Sequence, residues 1–338
     1  MEELSMKKII ALLCILAIVA CAFVSCGGGD TEGTASFKGN EYEPIKREEI
    51  VYEKIGEPSV KPENTYKAGD IKEIGITIEG AGEEGTLVLK VGKKASLTGK
   101  LFPENPAITA VYWESSNEKI VKVDKDGNVL ALAPGCATIA CTTVLGFSDT
   151  VKVLVYEYEG NDELANELIT LLNDARVKEL SKAADTDATS EDAATESAAS
   201  EEAASEEAAS AAEGEEATDA LDQYKLKTDD IMLKYAVNQR VYEEACEGTM
   251  DSTRPDFYGI GKDRQHTTVL TDYEIHSRGS TCLNGIWGEY TAEQVAEILL
   301  SSEDSKKAIM NKNYEYIGVG CYKNGEVTYW LVSMIIPF

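Results

Sequence analysis

The chain has 338 residues, of which 43% are hydrophobic and 27% charged, and its formal net charge is −28 at pH 7. That length suits two or three folded domains. So acidic a balance excludes nucleic acid as a partner, because phosphate binding needs clustered Lys and Arg, and it disfavours attachment to anionic lipid by charge alone. Only two histidines occur, His266 and His276, which excludes HExxH metallohydrolases and any multi-histidine metal cage.

Near the N-terminus, Met6-Lys7-Lys8 leads into IIALLCILAIVACAFVSC, a basic and then an apolar segment ending at Val24-Ser25-Cys26. This is the layout of an export signal, although the run could also serve as a transmembrane anchor. Gly27-Gly28-Gly29-Asp30 follows Cys26 and would keep an acylated cysteine mobile at a membrane face. Cys21, after Ile18-Val19-Ala20, is a rival acceptor. The segment resembles bacterial lipoprotein precursors. The resemblance implies a signal peptide over 1–25, lipidation at Cys26, and export to the outer face of the cytoplasmic membrane or the cell surface. Residues 26–70 form a tether and spacer; from Thr31 to Asp70 they are rich in Glu, Lys, Gly and Pro without periodicity. Within them Ile50-Val51-Tyr52 gives a weak strand signal.

From 71 to 157 the pattern turns to β. Short alternating runs such as LVLKVGKKASLTGKL, KIVKVD and DTVKVLVYE recur at the spacing of an all-β sandwich. Asp126-Gly127 between two such runs predicts a hairpin with a type I′ turn, and Pro134-Gly135 marks another turn. The string VYWESSN, then VKVDKDGNVLA, then PGCATI resembles the bacterial Ig-like group 2 domain. That resemblance implies a stalk or adhesive module, with Trp113 as its core tryptophan and Gly135 as its required turn glycine. Asp124, Asp126 and Asn128 mimic the start of a calcium loop, but the closing carboxylate is missing at the needed spacing.

Asn161 to Leu180 predicts a helix with Leu164, Leu168, Leu171 and Ala175 on one face and Asp162 as its cap. A low-complexity Ala/Glu/Ser/Thr insert occupies 181–220. It holds thirteen acidic residues and one lysine, and so carries twelve of the 28 net negative charges. Having no Leu, Ile, Val or aromatic residue, it cannot bury a face, and it reads as a tolerated loop insertion. Leu233, Ala236, Val237 and Val241 then form an apolar helical face. Ala292 to Leu300 forms another through Val295, Ala296, Ile298 and Leu299, and a short helical piece turns Ile309 and Met310 inward. A closing hairpin turns at Asn324-Gly325.

Taken in order, Leu172-Asn173-Asp-Ala-Arg176, the Arg240/Glu243 helix, Ser252-Thr-Arg254-Pro-Asp256, Thr267-Thr-Val-Leu270, Ile317-Gly-Val-Gly320 and Tyr329-Trp330 resemble the CAP superfamily (cysteine-rich secretory, antigen 5, pathogenesis-related), in its bacterial extracellular form. The resemblance implies an α-β-α sandwich over 161–338. The fold class is therefore multidomain, an all-β Ig-like sandwich followed by an α+β CAP-type domain. The family's cleft can hold a divalent metal through two histidines and acidic residues. Here the aligned positions are Ser252, Ser305 and Leu283, which supply neither imidazole nor carboxylate, so no metal, cofactor or family catalytic residue is expected. A serine nucleophile would need an adjacent base. His266 and His276 fall in the connecting segment, and neither G-x-S-x-G nor S-x-x-K occurs around Ser305.

Cys136 and Cys141 sit an odd number of residues apart in one predicted strand, on opposite faces, and should not pair. Cys246, Cys282 and Cys321 could supply one bridge, or all three could be small buried side chains. The leading expectation is a surface lipoprotein whose Ig-like stalk presents a degenerate, non-catalytic CAP domain to a wall polymer, lipid or protein ligand. A CAP-type hydrolase using other residues, and adhesion through the Ig-like domain, are the alternatives.

Overall fold

The computed structural model describes residues 44–63, 75–82, 85–102, 110–191, 221–247, 253–260, 264–265 and 268–338. The described residues fall into two compact units, each assembled from separated stretches of chain. One comprises Asn161–Asp230 and Ser277–Phe338; the other comprises Asn40–Gly160 and Ile231–His276. The chain divides at Gly160/Asn161, but Ile231–His276, expected within a domain spanning 161–338, belongs to the β-rich unit because the helix after the insert packs with it.

The β-rich unit holds strands β1 (Gly75–Glu79), β2 (Thr86–Lys90), β3 (Lys94–Ser96), β4 (Thr98–Phe102), β5 (Val111–Ser115), β6 (Val121–Val123), β7 (Asn128–Ala131), β8 (Gly135–Thr143) and β9 (Ser148–Tyr156). They form a four-stranded sheet in the order β2-β9-β8-β5, a three-stranded sheet β3-β7-β6 and the pair β1-β4. Alternation along the strands sends Leu87, Leu89, Trp113, Val129, Ile139, Val151 and Val153 into one apolar core. Trp113 is buried, as expected of it.

The β6–β7 hairpin forms where Asp126-Gly127 predicts it, but its turn differs. Val123 pairs with Val129, and among the described loop residues only Gly127 has positive φ, at 81°. That is a longer loop with glycine in the left-handed position, not a type I′ turn. Gly135 has φ of 138°, and a Cβ there would lie 2.8 Å from the Asp272 carbonyl oxygen. Close backbone approach as well as conformation therefore demands glycine at this position.

Asp124 closes that hairpin loop. Its carboxylate is fully buried and accepts from Gly56 N at 2.6 Å, Asn128 N at 2.8 Å, Asn128 Nδ2 at 2.9 Å and Asp126 N at 3.0 Å. Burial pushes its pKa up, but these donors outweigh burial and hold it below the ordinary carboxylate value. A folded-state pKa below the unfolded one stabilises above the unfolded value of about 3.9, and the contribution disappears as pH falls through the folded value. Asp124→Ala should cost about 2–3 kcal/mol at pH 7 in urea titrations, since several buried donors lose their acceptor. The variant's stability should also fall less steeply than the parent's below about pH 4.

Two further groups complete this unit. Helix α2 (Ile231–Glu247) follows α1 (Asp162–Glu191) in the chain and packs on β9 and the tail beyond it. Tyr235 and Tyr242 meet Tyr156 and Tyr158 with ring centroids 5.0 and 5.6 Å apart, and Asn238 Nδ2 donates to Glu159 O at 2.8 Å. The short pair β10 (Thr253–Arg254) and β11 (Arg264–Gln265) and helix α3 (Thr268–Asp272) follow.

The second group is segment 44–63, expected as free spacer. It instead lies bound along the unit. Glu53 N donates to Gly92 O, Lys125 N to Glu57 O and Trp113 N to Ser59 Oγ, at 2.8, 2.9 and 2.8 Å. Ile50 packs partly on the core, whereas Val51 and Tyr52 are exposed and form no strand.

The other unit opens with α1 (Asp162–Glu191), capped by Asn161, whose Oδ1 accepts from Leu164 N at 3.2 Å; Asp162 is not the cap. Its most buried residues are Leu168, Leu172 and Arg176, with Ala165 and Leu180, so the inward face is rotated from the predicted stripe and Leu164 and Leu171 stand at its margin. The helix carries through 181–191 of the insert; residues 192–220 lie outside the described ones. Strands β12 (Gly279–Gly288), β13 (Tyr316–Asn324) and β14 (Val327–Ile336) form an antiparallel sheet in the order β12-β14-β13. The β13–β14 hairpin turns through Gly325 at φ 64°, with Asn324 paired to Val327. Helix α4 (Ala292–Ser301) starts with a Thr291/Gln294 capping box and buries Val295, Ala296 and Leu299. Helix α5 (Glu303–Ile309) buries Ile309. These helices and the sheet share one apolar cluster that includes Leu283, Ile317, Val319 and Trp330.

Candidate functional site

Of the positions aligned with the CAP cleft, two can be placed. Leu283 lies on β12 opposite Val332, only 4% exposed, inside the apolar cluster. Just after it the β12–β14 register shifts before Ile286. Ser305 lies in the first turn of α5 and is fully buried. Its amide donates to Ser302 Oγ at 3.4 Å, and its own Oγ has no hydrogen-bond partner among the described residues. A buried hydroxyl left so costs about 1–3 kcal/mol unless water reaches it. Both residues belong to the same compact unit. Ser252, His266 and Cys26 lie outside the described residues, and His276 is exposed.

The densest chemistry lies in the β-rich unit. Arg254, 6% exposed, forks onto Glu243 with Nε and Nη2 at 2.7 and 2.6 Å. Its Nη1 donates to Asp272 Oδ2 at 2.7 Å and to Thr268 Oγ1 at 3.2 Å. One helical turn before Glu243, Arg240 is fully buried within 3.4 Å of Glu244, 3.7 Å of Glu243 and 3.8 Å of Glu247. Gln239 Nε2 donates to Glu243 Oε1 at 3.2 Å. Two arginines are thus enclosed by acidic side chains from α2 and α3.

A cavity of about 10 Å³ opens beside Glu243 and Arg254, bounded by Pro134, Pro255 and Tyr258. That is room for about one water molecule. Arg254 spends its fork inside the protein, so this arrangement ties elements together and does not present a charge to a ligand. The sequence aligned Arg240, Glu243 and Arg254 with a family pattern without showing that they pair. Only the i, i+3 and i, i+4 spacing of Arg240 with Glu243 and Glu244 could have revealed part of it.

A second cluster gathers at Arg47, whose Nε donates to Glu157 Oε1 at 2.6 Å and whose guanidinium lies 4.9 and 4.3 Å from the ring centroids of Phe257 and Tyr258. Burial, then the nearby Glu157 carboxylate, raises the Tyr258 phenol above its ordinary pKa. Tyr273 is fully buried, donates to Val155 O at 3.1 Å, and is held protonated chiefly by burial. Burial outweighs the opposing pull of Arg47 on Tyr258 and of Arg254 on Tyr273, so neither phenol is prepared for proton transfer near neutral pH.

The five cysteines placed here are unbridged thiols: Cys136, Cys141, Cys246, Cys282 and Cys321. Burial pushes the pKa of Cys141, Cys246 and Cys321 up to about 12. The thiolate is the reactive species. Iodoacetamide at pH 8 should therefore leave these three unmodified in the folded protein and alkylate them fully in guanidinium, as read by peptide mass spectrometry.

Among the described residues no three His, Cys, Asp or Glu side chains are grouped so as to hold a metal ion. No helix among them is long and apolar enough to cross a membrane. The apolar run preceding Cys26 lies outside them.

Comparison with known proteins places one part of the chain. Residues 83–153 match the family described as bacterial Ig-like domain (group 2), so the chain contains such a domain. The chain is 40% identical over 104 residues to a lacto-N-biosidase of Bifidobacterium bifidum, which is 30% of this chain and 9% of that protein. It is 34% identical over 91 residues to a 3-O-alpha-D-galactosyl-alpha-L-arabinofuranosidase of Bifidobacterium longum subsp. longum, covering 26% and 8% of the two. The chain thus spans less than a tenth of the length of these curated relatives. Among solved structures, it shares a TM-score of 0.29 and 16% identity with an outer surface protein from Borrelia burgdorferi, over 36% of this chain and 86% of that one. With an intimin mutant of EHEC O157:H7 the TM-score is 0.18 and the identity 19%, over 25% and 46%.

Proposed function

We propose that this chain is an extracellular surface protein held by a lipid on Cys26, with the Ig-like domain as a stalk and a degenerate CAP-type domain as a binding module, its expected span 161–338 interrupted by Ile231–His276 of the β-rich unit. The ligand class is a wall polymer, a lipid or a protein. The observation that carries this reading is the burial of the aligned cleft positions. Leu283 is absorbed into an apolar core and Ser305 is enclosed, which supports packing roles at positions where the resemblance expects imidazole and carboxylate. The Ig-like domain, of a kind found in surface proteins, supports the location.

Two measurements test it. Palmitate labelling in cells should mark the wild-type chain and not Cys26→Ala; labelling that persists would move the anchor to another residue, and no labelling of the wild type would remove it. Zinc titration of the full chain by calorimetry should give no stoichiometric heat. Tight one-to-one binding would overturn the degenerate site, and co-sedimentation with purified wall polymer or with phospholipid vesicles would then be read against that site.

A further inference from the structure

Segment 44–63 is held by a series of single, separate attachments met in chain order. Ile45 N donates to Ala245 O at 3.1 Å, Arg47 pairs with Glu157, and Glu53 N reaches Gly92 O. Gly56 N then reaches Asp124, Glu57 O accepts from Lys125 N, Ser59 Oγ accepts from Trp113 N, and Lys61 Nζ lies 5.5 Å from the Tyr112 ring centroid. The segment contains no helix or strand, only an isolated bridge from Pro58 to Asp124. Its apolar contribution is small, since Ile50 is partly buried while Val51 and Val60 are 79% and 80% exposed. Individual hydrogen bonds stabilise by roughly 1 kcal/mol each, far less in sum than the apolar core beneath them. A region with few buried apolar contacts opens at a lower free energy than the fold it lies on.

The segment also covers something. β5 is an edge of the four-stranded sheet, and Ser59 occupies the amide of Trp113 on it. Exposed sheet edges template unwanted pairing.

We propose that segment 44–63 is a releasable clasp. It peels from its N-terminal end, one attachment at a time, while the Ig-like core stays folded, and its release both lengthens the N-terminal tether and uncovers the β5 edge. Twenty residues of extended chain reach at most about 70 Å, so release would convert a short leash into a long one. The lipid anchor proposed above supplies the pull in the cell, but the clasp does not depend on it.

Native-state hydrogen exchange on the full chain tests the clasp and is indifferent to lipidation. The amides of Glu53, Gly56, Lys125 and Trp113, all attached to or through the segment, should exchange at least ~100-fold faster than the amides of β8 and β9, with Glu53 fastest and Trp113 slowest of the set. Arg47→Ala, which leaves the Asp124 hairpin intact, should speed that set several-fold without altering β8 and β9. Exchange of the set together with β8 and β9 in a single cooperative event, or an Arg47→Ala effect spread equally over both, would overturn the proposal. In optical-trap pulling from residue 40 to the C-terminus, a reversible first extension below the force of core unfolding is expected; its absence would count equally against the clasp.

Discussion

Arg254→Ala should destabilise the β-rich unit by about 3–5 kcal/mol, the largest single-residue effect expected, because it removes the Asp272 ion pair and leaves buried Glu243 with only Arg240, 3.7 Å away. Glu243 would lose two charge-assisted bonds and Asp272 one, with side-chain exposures of only 5% and 16%. Arg254→Lys should recover little, since a point ammonium cannot reproduce the fork onto Glu243. Urea titrations followed by circular dichroism measure both variants. An Arg254→Ala loss under about 1 kcal/mol would place this pair with ordinary surface ion pairs.

Arg176→Ala should cost about 3 kcal/mol or more, because one guanidinium satisfies three carbonyls at once. Nε donates to Tyr224 O at 2.9 Å, and Nη1 donates to Ile309 O and, at 3.2 Å, to Asn311 O. The last two lie at the C-terminal end of α5, where a cation also meets the favourable end of the helix dipole. Burial lowers the pKa of Arg176 from its usual value, yet it stays charged at neutral pH. One turn earlier, Asn173 exchanges both of its amide groups with the backbone of Leu226, at 3.1 and 2.8 Å. Together the two side chains pin the chain where it re-enters after the acidic insert. Trypsin cleavage beside Lys225 and Lys227 should accelerate in Arg176→Ala, and unchanged cleavage would show that the pin lies elsewhere.

Much of the β-rich fold was legible because its signals are local. Trp113 between alternating runs, Asp126-Gly127 at a hairpin tip and Gly135 after proline each act within a few residues. The type of the β6–β7 turn was misjudged because Asp124, not the central dipeptide, organises it by drawing in donors from as far as Gly56. Segment 44–63 was read as free spacer since its attachments follow no period; its partners lie on loops and strand ends distant in sequence. The inward face of α1 was misplaced because a polar pair, Asn173 and Arg176, is buried alongside the leucines, and hydrophobic periodicity does not see them. The Arg254–Glu243 fork joins a helix to a strand beyond its end, so no periodicity within one element shows it. For the candidate cleft, Leu283 and Ser305 could be named from alignment, but their burial is a packing outcome that only the assembled core determines.

The two compact units are interleaved along the chain, each closed by a stretch that follows part of the other. This bears on the order in which the protein can fold. The Ig-like strands emerge first from a ribosome or an export channel, yet Gly135 and Val155 wait for Asp272 and Tyr273 to arrive. The unit headed by Asn161 waits in turn for the C-terminal hairpin. The β-rich unit cannot finish before Asp272 and Tyr273 arrive, nor the other before the last strands do, and such long-range closure slows folding.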